Sequence, residues 1–541
     1  MKDFRSCWKG LCGMFKPVRW RVLVTILIGF VRIAASLSFV WICKRLVDIA
    51  TGNIVDASLG ANAGIMVGIM LAQLLTGIAA SYWESLSIVK TQNEMRYDTF
   101  AHVIRSRWNG REAFHSGDMV NRLEEDIRVV VDLLCSRLPD AIVTLCQLLA
   151  ASIFLLSMAP GLAWVLLILM CAAVVGSRMF FRTLRRLTDA IRAKDSEIQG
   201  HMQENLQNRI LVLTLIGTEK VLSRMGLLQK DVLGNTITRL NYNAVARTFM
   251  SLGFMAGYGA AFLWGVFGIN KGIVTYGMMT AFLQLVGQVQ RPIADISHHI
   301  PSFIHALTSV ERLMELQDLP LESQSEQLFA GEAPEIEVKD LTFAYDGQDK
   351  LIFKDFSYTF KGGRMTAIAG LTGAGKSTLT KLVLALLTPQ KGEILVGGLP
   401  VCAATRCNFM YVPQGNSLMS GTIRENLLLA KSDATEEELR DVLHCAAADF
   451  VFHLDKGLET VCSEKGGGLS EGQAQRIAIA RSLLQKGGVL ILDEATSAVD
   501  AETEKALLAN LTARFSGRKT ILFISHREAV TCAADEILHI G

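Results

Sequence analysis

The sequence predicts a multidomain protein: an all-α domain of six membrane-spanning helices, then an α/β domain built around a phosphate-binding loop. Three observations carry this. Uncharged runs of bilayer-spanning length occur only before residue 291. From Ile336 the pattern changes to short β-type runs alternating with helices, as in a parallel-sheet domain. One of those runs leads into Gly370-x-x-x-x-Gly375-Lys376-Ser377. The expected boundaries are 1–19 for an amphipathic N-terminal segment, 20–316 for the membrane domain, 317–334 for a polar, acidic linker and 335–541 for the nucleotide-binding domain.

Half of the 541 residues are hydrophobic and a fifth are charged, so the chain is not an ordinary soluble enzyme. The net charge is +2, and no nucleic-acid partner is expected. Eleven cysteines without a C-x-x-C pair suggest reduced thiols rather than a disulfide framework or a zinc site. The apolar stretch after the basic N-terminus is too long for a signal peptide and is read as retained.

A helix needs about 20 apolar residues to cross a bilayer core. Val22–Cys43 meets this with one internal charge, Arg32, and Ala61–Trp83 meets it with none. Ala141–Ser177 is broken by Ala159-Pro160-Gly161 and splits into two spans. Thr248–Asn270 and Gly272–Gln290 meet at Lys271. Segments Glu84–Asp140 and Arg178–Arg247 hold 8 and 12 Lys/Arg, against a single Lys271 in the short loops, so the long segments are cytosolic. Lys44 and Arg45 go against this rule and are read as interfacial. As helical hairpins with legs of about 28 and 35 residues, the two segments would project roughly 40–50 Å. Met1–Lys16 is expected as an amphipathic helix on the inner surface.

The phosphate loop is "AIAGLTGAGKSTL", Ala367–Leu379. Its glycines let backbone N–H groups of Gly370, Thr372, Gly373, Ala374, Gly375 and Thr378 close around phosphates. Lys376 reaches the β- and γ-phosphates and Ser377 ligates Mg²⁺, so ATP and Mg²⁺ are the expected ligands. "GVLILDEATSAVD" ends an apolar strand on Asp493-Glu494. Asp493 can hold Mg²⁺ through water, and Glu494 can polarise the attacking water. "ILFISHR" places His526 at another strand end, facing the ligand crevice of such a sheet.

The order of these motifs resembles the ATP-binding cassette transporter family, exporter type, over nearly the whole chain. The resemblance implies that Tyr345 in "LTFAYDG" stacks on adenine and that Gln414 in "YVPQGNSLMSGTIREN" touches Mg²⁺ and senses the membrane domain. It implies that Ser470, Gly472 and Gln473 in "GGGLSEGQAQR" form the signature that meets the nucleotide of a partner. Glu464 matches a loop that contacts the partner's membrane domain, and Ser497–Asp500 match the loop at the dimer interface. "SGDMVNRLEEDIRVV" and "QENLQNRI" resemble the cytosolic turns that dock on the ATPase domains. Glu494, His526 and Gln414 are the implied catalytic residues, and Ser377, Gln414 and Asp493 the metal ligands. The implied protein is a half-transporter active as a dimer in a bacterial inner membrane, with its nucleotide domain in the cytoplasm. The chain departs from the family in being short between Gly398 and Gln414 and in ending at Gly541, before the usual hairpin and helix.

The signature departs too: Glu471 stands where the family has glycine. Ser470–Gln473 is also a capping box, so these residues start a helix whose N-terminus favours a phosphate. A carboxylate in the first turn gains about 0.3–1 kcal/mol from the dipole. Facing a phosphate from about 8 Å it would lose about 2 kcal/mol per charge at an effective dielectric near 20. Glu471 is therefore expected to turn outward. The competing reading is a damaged signature in an asymmetric heterodimer.

The sequence thus reads as an ATP-driven exporter of a drug, lipid or peptide that switches by alternating access. The rival readings are an ATP-gated channel or regulator, and an uptake transporter on the same scaffold. A homodimer is favoured. Arg32 reads either as half of an internal ion pair or as part of the substrate path, and His298, His299 and His305, near the inner mouth of the last span, read either as solvated helix or as functional residues, the first reading being preferred in each case.

Overall fold

In the first half of the chain, long apolar runs fold as long helices. The computed structural model describes residues 4–54, 57–108, 116–165, 168, 181–215, 217–323, 326–345, 350–371, 373–463 and 466–540. They divide into two units: Met1–Phe100 with Met119–Gln317, and Ala101–Asp118 with Asp318–Gly541.

The first unit contains α1 (Phe4–Phe15), α2 (Arg19–Ala50), α3 (Leu59–Arg105), α4 (Gly117–Met158), α5 (Phe181–Gln207), α6 (Arg209–Thr214), α7 (Thr218–Asn270) and α8 (Tyr276–Gln317). Among the described residues, α2, α3, α4 and α7 are long and apolar enough to cross a membrane. The turn at Ala159 is present, and helix resumes at 160, but 166–167 and 169–177 of the fourth predicted span lie outside the described residues. The sixth predicted span, Gly272–Gln290, overlaps α8 from Tyr276 on, and Gln284, Gln288 and Gln290 make that helix less apolar than the other four.

The reason for that difference is where α8 sits. Its Ala281, Phe282, Leu285 and Val286 are buried in a core with Val40, Ala151, Leu155 and Ala261. Helix α3 instead exposes Leu71, Leu74, Leu75 and Ile78. These positions form one helical stripe, suited to lipid. At the other end of α2, the Gly277 N–H donates to Asp48 Oδ1 at 3.1 Å. A Cβ at Gly277 would lie 2.3 Å from the Lys44 carbonyl oxygen, so only glycine allows this approach.

Two single π-turns, Arg122–Asp126 and Leu133–Arg137, interrupt α4. Insertions of this kind often mark functional positions. The first brings two buried charges against α8. Arg122 donates to the Arg312 carbonyl at 2.8 Å and to Glu315 at 2.7 Å. Asp126 accepts from Ser309 at 2.8 Å and pairs with Arg312 at 3.2 Å. The second segment expected in the cytosol is a hairpin of α5 and α7, capped by short α6 and tied by His201 to the Val221 carbonyl at 3.1 Å.

The N-terminal segment is a helix, as expected, but protein takes part of its apolar face. Leu11 and Met14 are buried, and Gly10 lies against Met314 of α8, whose sulfur would be 2.1 Å from an added Cβ. Amphipathicity alone does not distinguish a lipid surface from a neighbouring helix.

The second unit has two main sheets. Strands β1 (Ile336–Phe343), β2 (Phe353–Phe360), β4 (Lys391–Val396) and β5 (Leu399–Pro400) form an antiparallel sheet in the order β2-β1-β4-β5. Strands β3 (Met365–Ala369), β6 (Phe409–Val412), β9 (Val489–Asp493), β10 (Thr520–Ile524) and β11 (Glu536–His539) form a parallel sheet in the order β11-β3-β10-β9-β6. Every residue of β9 and β10 is buried, as expected for a parallel sheet covered on both faces. Helices α9 (Lys376–Val383), α10 (Ile423–Leu428), α11 (Glu436–Cys445), α12 (Glu471–Leu483), α13 (Ala501–Phe515) and α14 (Glu528–Ala533) pack around this sheet, with a short β7–β8 pair at Gly421–Thr422 and Val461–Cys462.

Residues Ala101–Asp118 also belong to this unit. Ser106 bridges to Leu321, the Arg107 N–H donates to the Pro320 carbonyl at 2.7 Å, and Glu322 N–H donates to the Arg105 carbonyl at 3.0 Å. The Lys381 ammonium lies 5.1 Å over the Trp108 ring. Within the stretch expected as a linker, Arg406 grips Glu322 at 2.7 and 2.9 Å.

Candidate nucleotide site

Four adjacent parallel strands deliver the chemistry to one edge. In the sheet order, β3, β10, β9 and β6 lie side by side. Ile524 of β10 is level with Asp493 of β9, and Val412 of β6 with Leu492. The carboxyl ends therefore align. The phosphate loop leaves β3, His526 follows β10, Asp493-Glu494 close β9, and Gln414 follows β6. Ligands of such sheets bind in the crevice at these ends.

The loop after β3 needs its glycines. Gly370, Gly373 and Gly375 have φ of 152°, 85° and 104°. A Cβ at Gly370 would meet the Ile540 carbonyl at 2.1 Å. Gly375 caps α9, whose first residues are Lys376, Ser377 and Thr378. Lys376 is buried, and its ammonium donates to the carbonyls of Gly370 and Leu371 at 2.7 and 3.0 Å. The lysine thus closes the loop that it belongs to. Ala374 packs on the neighbouring core, and Tyr345, just past β1, places its hydroxyl 3.2 Å from that of Thr378. The aromatic is therefore beside the start of the helix that follows the phosphate loop. Thr372 lies outside the described residues.

Glu494 is where three of the predicted residues meet. Gln414 Nε2 donates to Glu494 Oε2 at 2.5 Å, and His526 Nε2 lies 3.7 Å from Oε1. The Glu494 N–H is anchored to the Ile524 carbonyl at 2.9 Å. Its φ is 48°, a left-handed conformation costly for a residue with a side chain and found most often at functional sites. Beside it, burial first and the like charge of Glu494 second push the Asp493 carboxyl above its usual range, and the Ser377 hydroxyl acts in the opposite direction. Asp493 Oδ1 is buried without a hydrogen-bond partner.

The signature begins α12. The Ser470 hydroxyl accepts from Gln473 N–H at 3.2 Å, and Gln473 Oε1 accepts from Ser470 N–H at 2.9 Å. The predicted capping box is formed. Glu471 is exposed and Gly472 is buried. A Cβ at Gly472 would lie 2.5 Å from the Ala498 carbonyl oxygen, so the glycine allows the helix start to touch the Ser497–Asp500 loop. Glu464 lies outside the described residues, as do the side chains of His298, His299 and His305.

Three residues that sequence reasoning passed over join these parts. Buried Gln475 donates to the Ser497 hydroxyl at 2.9 Å and accepts from Ala498 N–H at 3.1 Å. Arg527 donates to the carbonyls of Val499 and Ser497 at 2.7 and 2.6 Å and to buried Glu504 at 3.0 Å. The Ser497–Asp500 loop is thus clamped from the signature helix and from the His526 strand. Arg481 of α12 donates to the Ser417 carbonyl at 3.1 Å, tying that helix to the segment after Gln414. A polar residue on the buried face of a helix was the available signal for Gln475. Arg527 had only its place next to His526.

The sequence pattern of the ABC transporter transmembrane region matches residues 22–293, half of the chain, and that of the ABC transporter ATPase matches 353–497. The chain is an ABC transporter. It is 28% identical over 520 residues to the ATP-dependent lipid A-core flippase of Vibrio cholerae serotype O1, covering 93% of this chain and 88% of that one. It is 29% identical over 486 residues to the alpha-hemolysin translocation ATP-binding protein of Escherichia coli O157:H7, covering 87% of this chain and 67% of that one. A bacterial Atm1-family ABC exporter with ATP bound shares its fold with a TM-score of 0.80 at 23% identity, over 97% of this chain and 94% of that one. This ABC transporter is an ATP-hydrolysing exporter that carries one membrane region and one ATPase region, the half-transporter arrangement that works as a pair.

Proposed function

We propose that two copies of this chain form the exporter, each nucleotide lying between the phosphate loop of one copy and the Ser470–Gln473 signature of the other. The observation that carries the reading is the pairing of two complementary surfaces in one chain. One is the interlocked set Gln414, Glu494 and His526. The other is an exposed, capped helix start that Gly472 lets approach its surroundings closely. A symmetric pair is the commonest solution for an oligomer.

In this reading Lys376 turns from its own loop carbonyls to the β- and γ-phosphates, and Tyr345 supports the base. Thr372, Gly373, Ala374, Gly375 and Thr378 present the loop. Glu494 is the general base, with Gln414 and His526 fixing its two oxygens. Asp493, Ser377 and Gln414 would hold Mg²⁺. The buried, unpartnered Asp493 oxygen beside the Ser377 hydroxyl fits a divalent cation. Mg²⁺, when bound, neutralises charge on the transferred phosphoryl group. The ATPase unit and both long helical segments lie on the cytoplasmic side of a bacterial inner membrane, by the Lys/Arg bias. Closure of the paired ATPase units drives the membrane region between inward- and outward-facing states.

The test is to purify this chain alone in nanodiscs and measure particle mass and ATPase activity. The expected result is a two-chain particle that hydrolyses ATP and traps two nucleotides per pair when Glu494 is replaced by Gln. A monomer, or an inert pair that becomes active only with a different half-transporter, would overturn the homodimer in favour of an asymmetric pair.

A further inference from the structure

The arginines of α2 have different surroundings. Arg21 grips Glu94 at 2.8 and 2.6 Å. Arg19 lies over Trp20 and Arg45 over Trp41, at 5.8 and 5.2 Å. Arg32, in the middle of the apolar run Val22–Cys43, makes no hydrogen bond, ion pair or ring contact among the described residues. A charge at that depth is costly, and it marks a ligand path when it faces a cavity.

Arg32 faces one. In the first unit a mostly polar cavity of about 360 Å³ is lined by Arg32 and Ser36 of α2, Gln73 of α3, and Asp140, Thr144 and Gln147 of α4, with three apolar or small side chains. The polar surface continues past it: Ser36 accepts from Gln288 of α8 at 2.8 Å. The side-chain carbonyl oxygens of Gln288 and of nearby-in-sequence Gln284 are buried without a donor. The Arg32 guanidinium thus shares this cavity with the Asp140 carboxylate, and an acceptor of Gln288 lies next to it through Ser36.

We propose that this cavity holds the head of a monoanionic amphiphile: a carboxylate or phosphate diester on Arg32, with hydroxyl or amine donors toward Asp140 and the glutamines. The guanidinium fork matches two acidic oxygens. Asp140 works against a second negative charge on the same head. The volume is at the small end of ligand pockets, so the cavity takes a head and leaves the tail to the bilayer. This inference rests on the exporter reading only for its effect on turnover and gives that reading a substrate class.

The probe is phosphatidylglycerol, a monoanion with two hydroxyl donors, added to phosphatidylcholine nanodiscs that hold the full chain. Lipid retention is read by native mass spectrometry without ATP. ATPase rate is then read relative to each variant's own rate in phosphatidylcholine alone. Phosphatidylglycerol should be retained and should raise turnover. Arg32→Gln should weaken retention about tenfold, the loss expected for one charged contact. Arg32→Lys should restore part of it, and Arg19→Gln should retain it fully. Soluble glycerol phosphate that displaces the lipid would show that the head alone is recognised. Failure to displace would show that recognition needs the bilayer-borne form. If Arg32→Gln does not assemble, Asp140→Asn decides: it should shift preference toward phosphatidic acid, and an unchanged preference overturns the site. Equal retention by the wild type and Arg32→Gln, or none by the wild type, overturns the site and leaves the pump standing. Arg32-dependent retention without any ATP hydrolysis overturns the pump and leaves the site standing.

Discussion

Glu494 accepts from Gln414 at one oxygen and has His526 3.7 Å from the other, whereas Ser470 spends its hydroxyl on its own helix and leaves its turn exposed. The Glu494 side is wired internally. Adjacent strand ends bring Gln414 and His526 to one carboxylate, and the backbone is held in a strained conformation there. The Ser470 side makes few bonds beyond its own cap and the clamp on Ser497–Asp500. The contrast teaches that a substitution on the wired side acts through lost chemistry. On the exposed side the outcome depends on which way the new atoms point.

The largest effect is expected on the exposed side. Ser470→Arg puts a long cation where a partner's phosphate must approach, and ATPase activity should fall below detection while ATP still binds the phosphate loop. Measurable turnover in the purified variant would mean that the Ser470 turn meets no nucleotide.

On the wired side, Glu494→Gln should keep ATP binding and lose at least about a hundredfold in turnover, in line with the weight of a positioned general base. Near-normal hydrolysis would remove Glu494 from that role and make its convergence with Gln414 and His526 structural.

Gly472→Ala sharpens the contrast, because its added carbon points at a backbone oxygen that cannot easily yield. It should lower stability by about 1–3 kcal/mol, the range for overpacking a tight contact. A thermal melt within error of the wild type would show that the Ser497–Asp500 loop moves aside.

The smallest effect is expected at Glu471, where the side chain is exposed. Glu471→Gly should change ATPase activity by less than about tenfold, equivalent to roughly 1.4 kcal/mol. A hundredfold gain would mean that the carboxylate suppresses the site, and would favour the asymmetric pair.

Much of this molecule is readable from local pattern. The phosphate loop is spelled out by Gly370, Gly375, Lys376 and Ser377, because that spacing folds a strand-to-helix turn around phosphates. The capping box at Ser470–Gln473 is likewise a four-residue property, and the structure forms it. The membrane-length helices of the first unit follow from long uncharged runs. The buried π-turn network is different. Arg122 and Asp126 look like surface charges in sequence, and they are buried only because α8 brings Ser309, Arg312 and Glu315 to them.

What the sequence determined by itself was the class of each domain, the phosphate chemistry and the start of the signature helix, since each depends on residues within one turn or one span. Tertiary structure decided the rest. It set the alignment of β10, β9 and β6 that brings His526, Glu494 and Gln414 together across more than a hundred residues of chain. It also decided that α8 is buried while α3 faces outward, that α1 lies against Met314, and that Gln475 and Arg527 clamp one loop. The physical reason is the range of the interactions. Propensity, capping and glycine geometry act over a few residues, whereas burial and hydrogen bonding between distant segments exist only after the chain has packed.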